Sequence, residues 1–221
     1  MKLDPVSLEE AARYMGVRGD IDNSVYELLN RADKLVRETL EPKYVYRETS
    51  AAVTEDGVKL ECMDTPLTGK DIVSHLSGCK RAVLLAVTLS AGADKLIRQY
   101  AVTDLAFSLA LDCVCSAAVE QVCEKAEEEI FAVTDAPYRT WRFSPGYGDL
   151  PLDLQGELLY ALNAQRRIGL TATENSLLIP SKSVTAVIGI SDAPLHKGAK
   201  GCAVCTMRES CAYRASGKRC K

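Results

Sequence analysis

Two groups of residues in this chain have types and spacings that could do chemistry. The first is Arg142-Phe143-Ser144-Pro145-Gly146-Tyr147. An arginine offers a planar fork that can hold a carboxylate through two hydrogen bonds. Pro145 stiffens the chain, and Gly146 permits unusual dihedrals and close approach of backbone to a ligand. Tyr147 supplies a flat face and a hydroxyl. Ser144 and its neighbours stand at the end of a predicted strand, where backbone amides and carbonyls are expected to be free. The set suits an amino acid moiety joined to an aromatic or cationic group. The same residue types also suit a rigid turn that carries a surface arginine. Gly146 and Gly148 form a G-x-G, but no third glycine or opening helix follows, so a dinucleotide-type loop is not expected.

The second group is Cys202-x2-Cys205-x5-Cys211-x8-Cys220. A C-x2-C pair is a common chelating step for zinc or an iron–sulfur cluster. Arg208, Arg214, Lys218 and Arg219 lie among these thiols and would lower their pKa values. Four cysteines with no well-placed histidine suit either zinc or a 4Fe–4S cluster; the alternative is an oxidisable tail. The other cysteines, Cys62, Cys79, Cys113, Cys115 and Cys123, are scattered among apolar residues and are expected to be small buried hydrophobes. His75, in a predicted helix, is expected to be an ordinary structural residue.

A chain of 221 residues fits one medium domain, or one domain with a small appendage, and can bury a core without staples. The formal net charge of -3 and the lack of a basic face argue against nucleic acid as the main partner. The first residues, Met1-Lys2-Leu3-Asp4-Pro5, lack the apolar segment of a secretion signal. The most apolar long window, Ala101 to Val119, carries Asp104 and Asp112, which makes it a poor membrane span and a good buried helix. A cytoplasmic protein without a membrane segment is expected, and disulfides are not expected there.

The elements that must position these residues are read from periodicity. Ser7, with Glu10 three residues on, has the spacing of a capping box. A second helix opens at Asn23 or Ser24 and ends before Pro42. Residues 43–54 are extended, Glu55-Asp56-Gly57 turns, and 58–61 return as a hairpin partner. A short helix is predicted over 71–76, a buried strand over 82–89, and helices over 94–100 and 104–130, the last apolar nearly all round in its first half. A strand over 138–143 runs into the turn. One helix then spans about 153–168, with Gly169 just beyond it, and strands follow over 175–179 and 183–190. Hairpins and grouped helices give an α+β fold: an antiparallel sheet with a long central helix and flanking helices, plus a small Cys-rich C-terminal tail. The expected division is 1–194 and 195–221.

The stretch Tyr138-Arg139-Thr140-Trp141-Arg142-Phe143-Ser144-Pro145-Gly146-Tyr147-Gly148-Asp149-Leu150-Pro151 resembles the signature of the cobalamin-dependent methionine synthase activation, or reactivation, domain family in stand-alone form. Supporting segments are Leu111-Asp112 through Ser116-Ala117-Ala118-Val119-Glu120, similar to the family's central helix, the helix expected from Leu154 to Arg167, at the family's distance after the turn, and Pro180-Ser181-Lys182-Ser183-Val184-Thr185-Ala186-Val187-Ile188-Gly189, which resembles its late Ser-Val strand. The resemblance covers roughly residues 40–192. It implies that the turn binds S-adenosylmethionine: Arg142 on the methionyl carboxylate, Ser144 through its backbone, Gly146 allowing close approach and Tyr147 beside the ligand. It also implies an acidic residue near the ligand's amino or sulfonium group, for which Glu120 and Glu124, one turn apart on one helix face, are the candidates.

Departures from the family pattern are Phe143 where proline is common, Ser144 where alanine is common, and Leu152-Asp153-Leu154-Gln155 in place of an Asp-His stretch. Ile188-Gly189-Ile190-Ser191 also lacks the aromatic pair that lines the ligand in some members. A cobalamin carrier would need an Asp-x-His-x-x-Gly segment; His196 fails that spacing. The resemblance therefore implies action in trans, on cobalamin held by a separate corrinoid protein or cobalamin-dependent methionine synthase. There, one electron from flavodoxin or ferredoxin and the methyl of S-adenosylmethionine would restore methylcobalamin. The alternative is a metal-binding module that docks on a corrinoid protein without transferring a methyl group.

Overall fold

The computed structural model describes residues 1–195. The four tail cysteines, and all but Leu195 of the expected tail, lie outside the described residues.

In chain order the elements are α1 (Leu8–Tyr14), α2 (Asn23–Thr39), β1 (Lys43–Thr54), β2 (Gly57–Leu60), α3 (Lys70–His75), β3 (Arg81–Thr88), α4 (Ala91–Ala101), α5 (Leu105–Val133), β4 (Tyr138–Arg139), α6 (Gln155–Ala161), α7 (Ala164–Ile168), β5 (Thr171–Ala172), β6 (Leu178–Ile179) and β7 (Ser183–Ser191). Five strands are hydrogen-bonded in the order β2-β1-β3-β7-β4, and β5 and β6 form a separate antiparallel pair. The expected α+β class, with a long helix and flanking helices, is what the chain adopts.

The chain divides into two compact units. Among the described residues, a helical unit comprises residues 1–47, 85–135 and 155–185, and a turn unit comprises 48–84, 136–154 and 186–195. In the helical unit α5 packs against α1, α2 and α4. Its first half is buried nearly all round, with Phe107, Leu111, Val114, Cys115 and Ala118 inaccessible to solvent. Each large apolar side chain so buried contributes about 1.5–3 kcal/mol. By length and composition α5 could cross a membrane, yet 61% of its most apolar window is buried inside the protein. The ring of Phe107 takes Tyr100 edge-on at 4.8 Å and the Arg31 guanidinium over its face at 4.0 Å.

Caps fix where the helices start. The Ser7 hydroxyl accepts from the Glu10 amide at 3.2 Å, as its spacing predicts. The second helix opens at Asn23, one of the two expected starts, and Asp22 before it is the cap: its carboxylate accepts from the Ser24 amide at 2.7 Å. A full negative charge satisfies the helix start better than a neutral acceptor. Asp104 caps α5 through the Phe107 amide at 3.0 Å.

Three expected elements come out differently. The helix expected over 153–168 is a 3-10 turn at Leu152–Leu154 followed by α6 and α7, broken at Asn163, whose φ is 51°. Asn tolerates the left-handed region, and Leu158, Leu159, Leu162 and Ile168 are all buried, so the apolar period runs straight across the break. Gly169 does close α7, with φ 70°. The strand expected over 175–179 shrinks to β6, because the chain from Thr173 to Leu177 turns on itself, with the Thr173 amide donating to the Leu177 carbonyl at 2.9 Å. The strand expected over 138–143 is interrupted, for a reason that bears on the site.

Candidate functional site: a turn on a bulged strand

In the turn unit, Tyr138 faces Ser191 and Arg139 faces Ile190 across the β4–β7 pair. The Thr140 amide donates to the Gly189 carbonyl at 3.0 Å, and the Gly189 amide donates back to the Thr140 hydroxyl at 2.8 Å. The next pairing is Phe143 with Val187, bonded in both directions at 3.0 and 2.8 Å. Two residues, Trp141 and Arg142, therefore stand opposite one, Ile188. That is a β-bulge, which bends a strand, breaks the period-two alternation and re-aims side chains. The direction of Arg142 is set by the bulge, not by simple alternation. The segment after α3 packs closely on β7 here: a Cβ on Gly189 would lie 2.6 Å from the Cys79 sulfur and 2.8 Å from a Leu76 methyl.

Beyond Phe143 the chain turns and closes on itself. The Tyr147 amide donates to the Ser144 carbonyl at 3.0 Å, the Gly146 amide to the Leu150 carbonyl at 2.9 Å, and the Leu150 amide to the Tyr147 carbonyl at 3.0 Å. Gly146 and Gly148 take φ of 89° and 53°, in the left-handed region that favours glycine. Pro145 and Leu150 are buried. The sequence expectation of free backbone groups is corrected here: the amides of Gly146 and Tyr147 and the carbonyls of Ser144 and Tyr147 serve the turn itself. The amide and hydroxyl of Ser144 keep no protein partner among the described residues. Arg142 is half-buried and has a partner of its own. Tyr147 is 53% exposed, with its ring edge-on to Phe143 at 6.1 Å.

The short helix α3 braces both shoulders of this turn. At its start, the Asp149 carboxylate accepts from the amides of Lys70 at 2.6 Å and Asp71 at 3.0 Å. Those bonds hold the Asp149 carboxyl below its usual value. At its end, His75 lies 2.8 Å from the Trp141 carbonyl through Nε2, with the rings of Trp141 and Phe143 at 4.6 and 4.9 Å. The ordinary structural role expected of His75 fits this packing. Asp149 was not among the site residues named from sequence. A carboxylate one position after a glycine turn was the available signal, but only the fold reveals which helix it caps.

The other candidates belong to the helical unit. Glu120 is half-buried on α5 and Glu124 is exposed there. The Tyr14 phenol is pushed up by burial first and then by the Glu120 and Glu10 charges. Also in this unit, Lys182 pairs with Asp112 at 2.9 Å and donates to the Ser116 hydroxyl at 3.0 Å, a cluster not anticipated from sequence. Ile188, Gly189, Ile190 and Ser191 are buried in the sheet, so the strand that lacks aromatics offers no open wall. Among the described residues no group of three or more His, Cys, Asp or Glu side chains is placed to hold a metal ion. The burial expected of Cys79, Cys113, Cys115 and Cys123 is observed; Cys62 is half-buried. Burial pushes the Cys115 thiol up to about 12.

With this geometry in view, the fold has a counterpart. The chain is similar to the crystal structure of the MetH reactivation domain bound to AdoHcy, with a TM-score of 0.63 over 96% of this chain and 83% of that chain, at 16% identity. The protein has the α+β fold of that domain. No protein-family model matches the chain, and no curated protein matches it by sequence.

Proposed function

We propose that this protein binds S-adenosylmethionine at residues 142–147 and supports reductive reactivation of cobalamin held by a separate corrinoid protein or cobalamin-dependent methionine synthase. The observation that carries the reading is the bulged turn: Arg142, the unengaged Ser144 amide and hydroxyl, and an exposed Tyr147 face, on a fold shared with a domain crystallised with AdoHcy. Arg142 would clamp the methionyl carboxylate, a charge-assisted contact worth about 1.5–3 kcal/mol. The Tyr147 ring would lie against the fixed sulfonium charge, as aromatic faces do with cations. Gly146 lets the backbone approach. Glu120 and Glu124 are the acidic residues proposed for the amino or sulfonium group. The partner supplies the cobalt chemistry, in which one electron from flavodoxin or ferredoxin and the methyl of the bound cofactor regenerate methylcobalamin. Such work places the protein in the cytoplasm.

The tail beyond residue 194 belongs to the same proposal as a separate segment in which Cys202, Cys205, Cys211 and Cys220 bind a 4Fe–4S cluster, as an electron relay, or zinc. Its C-x2-C spacing also favours a second reading, a metal-binding module that docks on a corrinoid protein without methyl transfer. Calorimetry separates the two. The full chain is expected to bind S-adenosylmethionine, and Arg142→Ala to weaken binding at least tenfold. A wild-type chain that does not bind it, yet still docks on a corrinoid protein, rejects the first reading in favour of the second. Anaerobically purified protein with no visible absorbance and stoichiometric zinc would exclude the cluster.

A further inference from the structure

Helix α3 has only six residues and spans about 9 Å at the usual rise per residue. Its two ends touch the turn on opposite sides. The N-terminal amides of Lys70 and Asp71 are taken by Asp149, five residues beyond Ser144. The last residue, His75, takes the Trp141 carbonyl and packs on the rings of Trp141 and Phe143, just before Ser144. The contact is tight at the Asp149 end: a Cβ on Gly148 would overlap the Asp71 carboxylate, and one on Gly69 would overlap Asp149. Glycine at both positions lets the turn and the helix start close to backbone distance.

We propose that α3 is a strut that sets the gap between the two shoulders of the turn, and that Asp149 and His75 are positioning residues for ligand binding at residues 142–147. The proposal rests on the reading of that turn as a S-adenosylmethionine site. The turn's own bonds, from Ser144 to Leu150, fix its internal shape but leave open how its two arms are held against the sheet. Asp149 supplies that on the closing arm and His75 on the opening arm. The bulge takes Arg142 out of strand alternation, so the course of the backbone on either side of it sets where the guanidinium can reach. The ring packing of Trp141 and Phe143 on His75 holds that course on the opening arm. The strut touches no ligand; it acts through the residues that do.

The test compares Asp149→Ala, Asp149→Ser and Asp149→Asn with Asp104→Ala, which removes the cap of α5 in the helical unit and controls for general loss of stability. Two readouts are taken on the full chain: hydrogen-exchange protection of the Gly146, Tyr147 and Leu150 amides, and AdoHcy affinity by calorimetry. Asp149→Ala is expected to lower protection and affinity at least tenfold. Asp149→Asn, which keeps one accepting oxygen, should fall between. Asp149→Ser, whose single hydroxyl sits on a shorter side chain and cannot serve both amides, should recover no more than Asp149→Asn. Asp104→Ala should lower the melting temperature while leaving both readouts within twofold. Unchanged protection in Asp149→Ala overturns the strut, as does an equal loss of affinity in Asp104→Ala. A wild-type chain that fails to bind AdoHcy overturns the reading of the site instead, and the exchange data still decide whether the strut exists.

Discussion

Helix α5 and the turn at 142–150 are held in place by different physics. The helix is fixed by area: its first half buries side chains over most of its circumference, and a shift of a few tenths of an ångström would be shared among many contacts. The turn is fixed by a small number of directed bonds, two glycines at positive φ and one short helix across its shoulders. Its aromatic Tyr147 faces outward and Asp149 is solvent-exposed. A core of the first kind tolerates no cavity but needs no single contact. A site of the second kind can remain open to a ligand, at the cost of depending on each bond.

That contrast can be broken at either end. The largest effect is expected from Phe107→Ala, which removes a fully buried ring from beneath Arg31 and Tyr100. It should cost ~3–5 kcal/mol in chemical denaturation. Exchange protection across residues 142–150 should not fall beyond that global loss. A selective loss there would mean that the turn depends on the core more than the bonds indicate. Next is Gly189→Ala, at the point where β7 meets Thr140, Leu76 and Cys79. Overpacking of this kind costs about 1–3 kcal/mol, and because Gly189 flanks the bulge, AdoHcy affinity should fall with it. A melting temperature equal to wild type would show that the sheet gives way there.

The smallest effect is on pH dependence. The Asp149 carboxyl is held below its ordinary value of 3.8 by the Asp71 and Lys70 amides, so its contribution is present above that value. It is lost only as pH falls through the lowered one. Protection factors of the Lys70 and Asp71 amides should be flat from pH 7 to about 4 and drop below it. A decline already at pH 5 or 6 would mean that another group titrates at the strut.

The two regions were unequally readable from the amino-acid order. Periodicity placed α5 within a few residues, because a helix buried on most sides writes its state into most positions from Phe107 to Cys123. The β1–β2 hairpin was equally plain, with Glu55 and Asp56 as its loop. The break at Asn163 was hidden, since Leu158, Leu162 and Ile168 keep one apolar face on both sides of it. The bulge at Trp141–Arg142 was hidden as well. Register is a relation to β7, fifty residues away, and no local pattern in 138–143 records it. For the site, Arg142, Gly146 and Tyr147 could be named from residue type, whereas Asp149 and His75 could not. Their role lies in contacts with α3 and the Trp141 carbonyl that only the fold brings about.

The most direct test of the central claim locates the ligand. Amide and arginine side-chain NMR signals of the full chain would be followed as AdoHcy is added. Saturable shifts are expected at the Arg142 Nε–H and at the amides of Ser144, Gly146 and Tyr147, abolished in Arg142→Ala. Saturable shifts confined to the helical unit, or none anywhere at millimolar AdoHcy, would contradict that claim.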